Sequence, residues 1–451
     1  MISFLRKIEG LIFYLLIFSI PFQARIILHK WTEPFNQWTS AYVYGTDVLL
    51  FVVLIFWLKN FFVNLKKTHN DKTTKVAKIS ILDPGFWLWI LLGVFAISIL
   101  NSIIVGLSFY ELIKFIEFLG FYLYIKSNYG RVYNFKRLAL IVVGSGLLQA
   151  LIGIIQYIKQ GSLGLGFLGE SPLIVGAPGV AVFVVDGEKY LRAYALTPHP
   201  NILAAWLFVS IVMFIVLCIS KSGFKFNKPM NLLMSAAYAV ITFGFFLTFS
   251  RVIIGLWFIC FVLSLILIFL KNKSESPSNI RERLKGIVLL TIIIVGVFTF
   301  LFWPQVASRV RVSSQEEAVT QRIFYNKIAG TLASENLWFG KGIGQFVPDF
   351  MRKFSNLPRG AYQPVHNVYL LLLSETGSVG LGVFMIFLFF VFYKFILYFR
   401  ASSQFRDLVL FCLVIPVFCL LVVGLFDHFL WTSQQGSLVF WMLLGLIQAR
   451  F

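Results

Sequence analysis

The sequence is poor in charged residues. Aspartate, glutamate, lysine and arginine make up 13% of the 451 residues, against about 25% in an ordinary soluble domain. Hydrophobic residues make up 59%. This balance excludes a soluble globular class and predicts that the lipid bilayer is the main solvent of the chain.

Cysteines are few, and no residues are spaced like the ligands of a metal ion. The 4 cysteines all lie within apolar runs, at Cys218, Cys260, Cys412 and Cys419. The sequence therefore predicts neither a disulfide framework nor a thiolate metal site. The histidines are far apart and form no short-spaced ligand pair, so we expect no bound metal.

Acidic residues are outnumbered, with 19 of them against 39 basic residues and a net charge of +20. In a soluble chain this excess would suggest nucleic acid as a partner. Here the lysines and arginines lie largely in short connections between apolar runs, as the positive-inside tendency of membrane proteins predicts. We therefore expect no nucleic-acid binding.

Apolar runs long enough to cross about 30 Å of hydrocarbon recur about twelve times. Arg6 and Lys7 precede the first run and resemble the start of a signal peptide, but no small-x-small cleavage site follows, which favours an uncleaved first helix. The sequence predicts an all-α integral membrane protein, a single polytopic domain over residues 1–451. The runs lie at 8–24, 44–63, 85–105, 110–126, 138–158, 201–220, 231–249, 252–270, 286–303, 370–398, 407–426 and 437–450.

Five clusters of lysine and arginine indicate the orientation of the chain, because all of them fall in alternate connections. The clusters are Lys66, Lys67, Lys72, Lys75 and Lys78; Lys126, Arg131, Lys136 and Arg137; Lys221, Lys225 and Lys228; Lys271, Lys273, Arg281, Arg283 and Lys285; and Arg400 and Arg406. This pattern predicts that the clusters and both termini are cytoplasmic. The longest opposite connection, 304–365 between the ninth and tenth runs, is too long for an idle loop, and we expect it to fold into short helices that cap the membrane part. The remaining connections expected outside are 25–43, the turn near 106–109, 159–200, the Ser250-Arg251 corner and 427–436.

His366 and Asn367 stand where the chain re-enters the membrane after the long connection. An ionisable side chain at the mouth of a spanning helix is a functional candidate, because burying it idle costs several kcal/mol. On a continuous helix, Gly377 and Gly380 fall within about 40° of His366, which would leave this face open to close approach. Glu375 falls about 180° away, so we do not expect it to orient the histidine.

This His-Asn-x9-Gly-x-x-Gly string resembles the signature of the O-antigen ligase and polymerase superfamily, bacterial membrane glycosyltransferases of the GT-C type. Arg192-Ala-Tyr-Ala-Leu196 resembles the Arg-x3-Leu element of the ligases, and Ser250-Arg251 resembles a second arginine site. The resemblance covers roughly residues 190–445. It implies inverting transfer of a glycan from a polyprenyl (undecaprenyl) diphosphate to an acceptor hydroxyl, without nucleotide, cofactor or metal.

Such a reaction needs positive charge on the departing diphosphate and a base for the acceptor hydroxyl. Arginine suits the first task because its planar fork stays charged, and histidine suits the second because its pKa lies near neutrality. We therefore expect His366 to be the catalytic base. The expected diphosphate ligands are Arg192, Arg251 and Arg322, and the supporting residues are Asn367, Gly377, Gly380, His199 and His428.

Each of these residues also has a plainer interpretation. The three arginines could be an interfacial anchor, a snorkelling side chain and one half of a surface salt bridge, respectively. His199 lies between two prolines and could simply begin a helix. His428 is more easily interpreted as a structural residue or as a residue at the rim of the site.

Two further polar segments are ambiguous. Glu111, Lys114 and Glu117 are either an intrahelical charge pair or a polar lining that faces the bundle interior. The segment 340–344, Gly-Lys-Gly-Ile-Gly, only weakly resembles a phosphate loop, and a flexible turn in the outer segment is the better interpretation.

The acceptor stays open at this stage. If the acceptor is a lipid A core sugar, the protein is a ligase. If it is a second lipid-linked glycan, the protein is a polymerase, and if it is a protein hydroxyl, the protein is an oligosaccharyltransferase. The competing class is a transporter or flippase, which usually shows matched halves with interrupted helices, whereas this chain concentrates its polar groups at one surface. We expect a ligase-like enzyme in the bacterial cytoplasmic membrane, with its site on the outer face and with membrane lipid, a lipid-linked donor and a glycan, lipid or protein acceptor as partners.

Overall fold

A computed structural model describes residues 2–70, 80–219, 228–270, 278–310, 317–401 and 406–449. Parts of the basic clusters lie outside these residues, so the structure does not bear on their placement. They are Lys72, Lys75, Lys78, Lys221, Lys225, Lys271 and Lys273, together with Arg311 and Glu316 of the long connection.

Every apolar run predicted from the sequence contains a helix. The element order along the described residues is α1 (Ile2–Ser19), α2 (Gly45–Asn70), α3 (Pro84–Ser98), α4 (Val105–Asn128), α5 (Phe135–Lys159), α6 (Pro200–Ile219), α7 (Lys228–Leu247), α8 (Arg251–Leu270), α9 (Ser278–Leu301), α10 (Trp303–Val310), α11 (Glu317–Glu335), α12 (Phe346–Lys353), α13 (Val368–Ala401), α14 (Arg406–Val423), α15 (Phe429–Thr432) and α16 (Gln434–Gln448).

Within the described residues, 5 helical stretches are long and apolar enough to cross a membrane. Shorter apolar helices cover Asn231–Leu247, Arg251–Leu263 and Val409–Val423. The chain is therefore a mostly helical, multi-pass membrane protein, and the exact number of twelve spans stays a prediction. The long stretches are Pro84–Asn101, Phe135–Lys159, Pro200–Ile219, Glu282–Leu301 and Val368–Arg400.

Two short antiparallel hairpins, which the sequence did not predict, stand between helices. Strands β1 (Arg25–Lys30) and β2 (Ser40–Tyr44) join α1 to α2. Strands β3 (Val182–Val185) and β4 (Glu188–Leu191) lie before α6. Both hairpins belong to connections predicted to face the outside, and β4 ends directly before Arg192.

The main core is built around α6 and α16. Nearly all of α6 is buried, and every residue of α16 is buried. A helix that is apolar on all sides is stable only where other helices surround it, and Trp206 and Trp441 on these helices are almost completely buried. The two helices therefore form the centre of the bundle, and the elements that carry the candidate site pack around it.

The described part of 304–365 folds into α10, α11 and α12 and has a small hydrophobic core of its own. Leu332 of α11, Phe350 of α12 and Val365 are buried in this core together with Leu371 of α13. Because α13 contributes to it, the segment is fixed directly on the helix that follows His366.

The connections predicted to share the outer side meet at one end of the bundle. The Gln23 amide donates to the Leu196 carbonyl at 3.1 Å, and the Asn36 side chain donates to the Tyr362 carbonyl at 3.0 Å. The Val368 amide at the start of α13 donates to the Gly424 carbonyl after α14 at 2.7 Å. These contacts indicate that the connections lie on the same side of the membrane. Which side that is, outside or cytoplasmic, stays a prediction.

Candidate active site

Two of the predicted histidines face each other. His366 lies in a bend just before α13, and His428 directly precedes α15. Their ring centroids are 5.0 Å apart in an edge-to-face arrangement. The His428 Nδ1 atom is 2.6 Å from the Thr432 hydroxyl, which fixes that ring, whereas the buried Nδ1 of His366 has no hydrogen-bond partner among the described residues. His428 thus touches the candidate base.

Asp427 is the carboxylate of this cluster. Its Oδ1 accepts from the backbone amides of His428 at 2.8 Å and Phe429 at 3.3 Å, and its Oδ2 accepts from the Asn201 side chain at 2.7 Å. Burial raises the pKa of Asp427, but the neighbouring histidines and the Asn201 hydrogen bond outweigh it and lower the pKa below its ordinary value. Asp427 is therefore charged at neutral pH.

The three histidines of the cluster are neutral near pH 7. Burial, followed by the charge of Arg192, lowers the pKa of His199 to about 4. Burial and the neighbouring His366 lower the pKa of His428 to about 3. For His366, burial lowers the pKa, Asp427 opposes this shift and Arg322 adds to it. A neutral imidazole can accept a proton, which a base for a hydroxyl must do.

Arg192 is buried and held in place on one edge of its guanidinium. Its Nε donates to the Thr248 carbonyl and its Nη2 to the Asn201 side-chain oxygen, both at 2.7 Å. Because Asn201 also binds Asp427, Arg192 is connected to the histidine cluster through one side chain. Burial lowers the pKa of Arg192 to about 9, so the side chain stays protonated at neutral pH.

The turn between α7 and α8 brings further positive charge to Arg192. Arg251 is the first residue of α8, and the Ser250 hydroxyl of this turn donates to Asn201 Oδ1 at 3.0 Å. Arg309 from α10 donates to the Phe249 carbonyl at 3.2 Å. After burial, repulsion from Arg309 and, more weakly, from Arg251 lowers the pKa of Arg192. Positive charges have been brought together, an arrangement that an anion would stabilise.

Arg322 lies on α11, on the His366 side of the cluster. Three residues further along, the Tyr325 ring lies 5.7 Å from the His366 ring, and its hydroxyl donates to the Ala361 carbonyl at 2.7 Å. The charge of Arg322 lowers the pKa values of both His366 and His199. The structure therefore places Arg192, Arg251 and Arg322 with His199, His366 and His428 at one end of the bundle, while their roles in a shared site stay a prediction.

Asn367 has a local structural role. Its side-chain oxygen accepts from the backbone amides of Tyr369 at 2.9 Å and Leu370 at 3.1 Å. These are the contacts of a helix N-cap, which satisfies amides that have no partner within the helix. Asn367 therefore begins α13 and fixes the direction in which the preceding His366 enters the site.

The condition of one continuous helix from His366 through Gly380, on which the shared face depended, is not met. Helix α13 begins only at Val368, and Gly377 breaks its regular path with φ 70° and ψ −173°. The reason is a close backbone contact, since a Cβ atom at Gly377 would lie 2.2 Å from the Trp338 carbonyl oxygen. At Gly380 a Cβ would lie 2.1 Å from the Thr376 hydroxyl. Because His366 precedes the helix and Gly377 interrupts it, helical geometry no longer supports a shared face, and both glycines lie in close contacts around the break.

The 340–344 segment is a tightly packed turn, which corrects the expectation of a flexible one. The amides of Lys341 and Gly342 donate to the carbonyls of Ser374 at 3.0 Å and Glu375 at 2.8 Å, just before the break in α13. The Glu375 carboxylate accepts from the Phe346 amide at 3.2 Å. Glu375 is thus hydrogen-bonded to the start of α12. This contact, rather than a position on the opposite helix face, accounts for our expectation that Glu375 does not orient His366.

Lys114 of α4 does not form the ion pair with Glu111 that the sequence suggested but pairs with two other carboxylates. Lys114 binds Asp47 of α2 at 2.8 Å and Glu117 at 2.7 Å. All of these side chains are mostly buried. The group therefore faces the bundle interior, and Lys114 joins two helices rather than pairing with Glu111.

Sequence reasoning missed three members of the site. These are Asn201, Asp427 and Arg309, none of which was among the residues expected from the sequence to form the site. An acid directly after an apolar run is a signal that could have identified Asp427. Nothing local marks Asn201 or Arg309, because their contacts are with residues distant in the chain.

Among the residues that the structure describes, no group of three His, Cys, Asp or Glu side chains is arranged to hold a metal ion. The arrangement instead combines a charged carboxylate, neutral imidazoles and several guanidinium groups. Such a site can bind an anion and accept a proton.

No protein of curated function matches this chain in sequence. Residues 236–385, however, match the family model described as O-Antigen ligase. The matched range contains Arg251, Arg309, Arg322 and His366. Arg192, Asn201 and Asp427 lie outside this range and are connected to it through the hydrogen bonds described above. The resemblance drawn from the sequence is thereby confirmed for residues 236–385 of this multi-pass membrane protein, which are similar to the O-antigen ligase family.

Proposed function

We propose that this protein transfers a glycan from a polyprenyl diphosphate carrier to an acceptor hydroxyl at the outer face of the bacterial cytoplasmic membrane, as an O-antigen ligase-like enzyme. The observation that carries the proposal is the junction at Asn201. This one side chain contacts both Arg192 and Asp427, and so links a group of arginines to a group of histidines.

The arginines suit the leaving group. In the reaction the anomeric C–O bond breaks, and the bond's electron pair and the negative charge go to the diphosphate. Arg192 uses its Nε and Nη2 edge for Thr248 and Asn201, which leaves the end formed by Nη1 and the second Nη2 hydrogen for a phosphate oxygen. Fixed guanidinium groups that need not reorganise stabilise the departing charge most effectively.

The histidines suit the acceptor. The acceptor oxygen forms the new bond to the anomeric carbon, and its proton passes to His366, which is neutral because burial lowers its pKa. The buried Nδ1 of His366, which has no hydrogen-bond partner within the described part of the chain, is available for a substrate hydroxyl. Charged Asp427 stabilises the imidazolium that forms, and attack from the side opposite the diphosphate inverts the anomeric centre.

The acceptor has three candidates within this function. A lipid A core sugar, a second lipid-linked glycan and a protein hydroxyl would each use the same base and the same arginines. We prefer the ligase because residues 236–385 match the O-Antigen ligase family model. A polymerase or protein oligosaccharyltransferase of the same superfamily is the alternative, and a flippase is the more distant one.

The test is glycan transfer in cells that make the lipid-linked donor. His366→Ala should abolish transfer and leave donor accumulating at the outer face of the membrane, because delivery continues while chemistry stops. His29→Ala is a matched control, since His29 is an exposed residue of β1 that contacts Trp31 rather than the site. Donor trapped on the inner face in the His366 variant would instead support a flippase.

A further inference from the structure

An open cavity of about 680 Å³ lies between the β1–β2 hairpin and the connection that follows α5. Arg25 and Tyr44 line it on the side of the hairpin, and Val48 lines it at the start of α2. Phe167 and Glu170 line it from the connection. Its volume falls within about 300–1,000 Å³, the usual range for small-molecule sites. No residue of the candidate active site lines this cavity, so it is a separate candidate for binding.

Arg25 is the cation of this cavity, and two tyrosines hold its side chain. The guanidinium carbon lies 4.2 Å from the centroid of the Tyr42 ring, and Nη1 donates to the Tyr44 hydroxyl at 3.2 Å. Within the described residues, none of the side-chain contacts of Arg25 is with a carboxylate. Most of the N–H donors of this guanidinium are therefore available to a phosphate group, which a guanidinium binds well.

Glu170 is the carboxylate that lines the cavity, and its oxygens are already used inside the protein. Oε1 accepts from the Gln156 side chain and from the Leu163 amide, both at 2.7 Å, and Oε2 accepts from the Leu165 amide at 2.6 Å. Glu170 is also buried. It therefore holds the turn that follows α5, and Arg25 supplies the charge that a ligand in the cavity can reach.

A stripe of exposed apolar side chains runs from the cavity along α2. Val48 lines the cavity and is 56% exposed, and Phe51 and Ile55 follow it with 66% and 49% exposed. Spacings of three and four residues place these side chains on one face of the helix. Because α2 corresponds to the apolar run predicted to cross the membrane at 44–63, this face is expected to contact lipid chains. Phe167, which lines the cavity, is exposed as well.

We propose that this cavity binds the headgroup of a bilayer phospholipid, with the lipid phosphate at Arg25 and an acyl chain along Val48, Phe51 and Ile55. A phospholipid carries a negative charge at the membrane surface directly next to an apolar chain, and the cavity and the stripe present the complementary groups in the same order. A soluble phosphate would match Arg25 but not the stripe. The bound lipid belongs to the surrounding membrane and is not a substrate, so this inference goes beyond the proposed function and does not depend on it.

The test measures binding of three probes to the full-length protein in detergent by native mass spectrometry: dioleoylphosphatidylglycerol, dioleoylglycerol and glycerol 3-phosphate. Arg25→Gln should weaken phosphatidylglycerol about fivefold or more, as expected for one basic residue at a lipid headgroup, and leave dioleoylglycerol within about twofold. Arg25→Lys should keep part of the affinity, because it retains the charge without the fork. Phe51→Ser should weaken both lipids alike, because both carry the same chains. Glycerol 3-phosphate, which lacks the chains, should bind far more weakly than phosphatidylglycerol.

Lys30→Gln is the matched control, since it removes one positive charge from an exposed position on the same strand, where Lys30 lies over the Phe35 ring. It should change none of the three affinities. Phosphatidylglycerol binding that is unchanged in Arg25→Gln, or lost equally in Lys30→Gln, would overturn the inference. An equal loss of dioleoylglycerol in Arg25→Gln would also overturn it, because the defect would then be structural. Glycerol 3-phosphate that binds as tightly as the lipid would assign the cavity to a soluble phosphate instead.

Discussion

At the residue scale, Asp427 and His366 each change the pKa of the other. Burial lowers the pKa of His366, and Asp427 partly offsets this shift. The histidine therefore stays in its base form to lower pH than a solvent-exposed histidine. Burial raises the pKa of Asp427, but the neighbouring histidines and the Asn201 hydrogen bond lower it below the ordinary value, so under the proposed function the charged carboxylate would stabilise the protonated histidine during transfer.

The first prediction concerns the pH dependence of transfer. The rate should fall on the acid side as His366 becomes protonated, with a midpoint below the ordinary histidine pKa of about 6.5. Asp427→Asn removes the charge that raises the pKa of His366, so its acid midpoint should move to still lower pH while the maximal rate falls.

The measurement is a pH profile of glycan transfer for wild type, Asp427→Asn and His366→Ala. The alanine variant should lose about 10²-fold or more in rate at every pH, while still binding the lipid-linked donor. An acid midpoint that moves upward in Asp427→Asn would contradict the assignment of His366 as the base.

The second prediction separates the anchoring of Arg192 from its contact with substrate. Arg192→Lys retains the charge but cannot bridge Thr248 and Asn201 and still reach a phosphate, so donor affinity should fall clearly. Asn201→Ala leaves the guanidinium intact and removes one of its two supports, so the loss should be smaller, about tenfold. Donor binding assays compare the two, and a wild-type affinity in Arg192→Lys would show that a point charge suffices.

At the element scale, the break in α13 fixes the large segment to the membrane helices. The amides of Ser378 and Val379 donate to the carbonyls of Leu337 at 2.7 Å and Trp338 at 3.2 Å. These contacts are possible because Gly377 turns the backbone out of the helical path. The break thereby ties the end of α11 to α13, nine residues beyond the start of that helix.

The third prediction follows from this contact. Gly377→Ala places a Cβ atom 2.2 Å from a backbone oxygen at a φ of +70°, and should cost at least about 2 kcal/mol of stability. Gly382→Ala, in the same helix, meets nothing within 4 Å and should be neutral or slightly stabilising. Thermal unfolding of the two purified variants in detergent makes the comparison. Equal unfolding temperatures for both variants would show that the backbone contact contributes nothing.

The helices were predictable to a greater degree than this contact. Apolar runs locate membrane helices because each run must satisfy its own backbone hydrogen bonds in lipid, and the run predicted at 201–220 corresponds to α6 at Pro200–Ile219. The site residues Arg192 and His366 were likewise visible as polar groups beside apolar runs. The break at Gly377 and the bridge through Asn201 were not, since both depend on partners more than thirty residues away.

At the scale of the whole molecule, the candidate site is assembled from connections spread along the chain. Residues from the β4–α6 connection, the α7–α8 turn, α10, α11 and the α14–α15 connection converge there. The N-terminal part contributes too, because Trp38 lies between β1 and β2 with its ring 5.1 Å from the His428 ring. A shared site therefore requires that these connections lie on one side of the membrane.

The fourth prediction tests that side. In intact cells, a cysteine at position 327 on α11 should react with a membrane-impermeant reagent, and a cysteine at position 285 near the start of α9 should react only after permeabilisation. Both positions are exposed lysines in the structure, so accessibility to solvent is matched. Labelling of position 285 but not 327 in intact cells would place the site on the cytoplasmic face and contradict the orientation.

The last prediction concerns the acceptor. Purified protein given only a polyprenyl-diphosphate oligosaccharide should leave it unchanged if it is a ligase, because the second substrate is missing, and should lengthen it into a ladder if it is a polymerase. The described residues contain no three-ligand metal group, and under the proposed function the arginines would supply the positive charge at the diphosphate, so EDTA should not inhibit transfer once an acceptor is added. Ladder formation from donor alone would replace the ligase assignment with the polymerase one. Strong inhibition by EDTA, reversed by a divalent cation, would show that arginine charge alone does not support departure of the diphosphate.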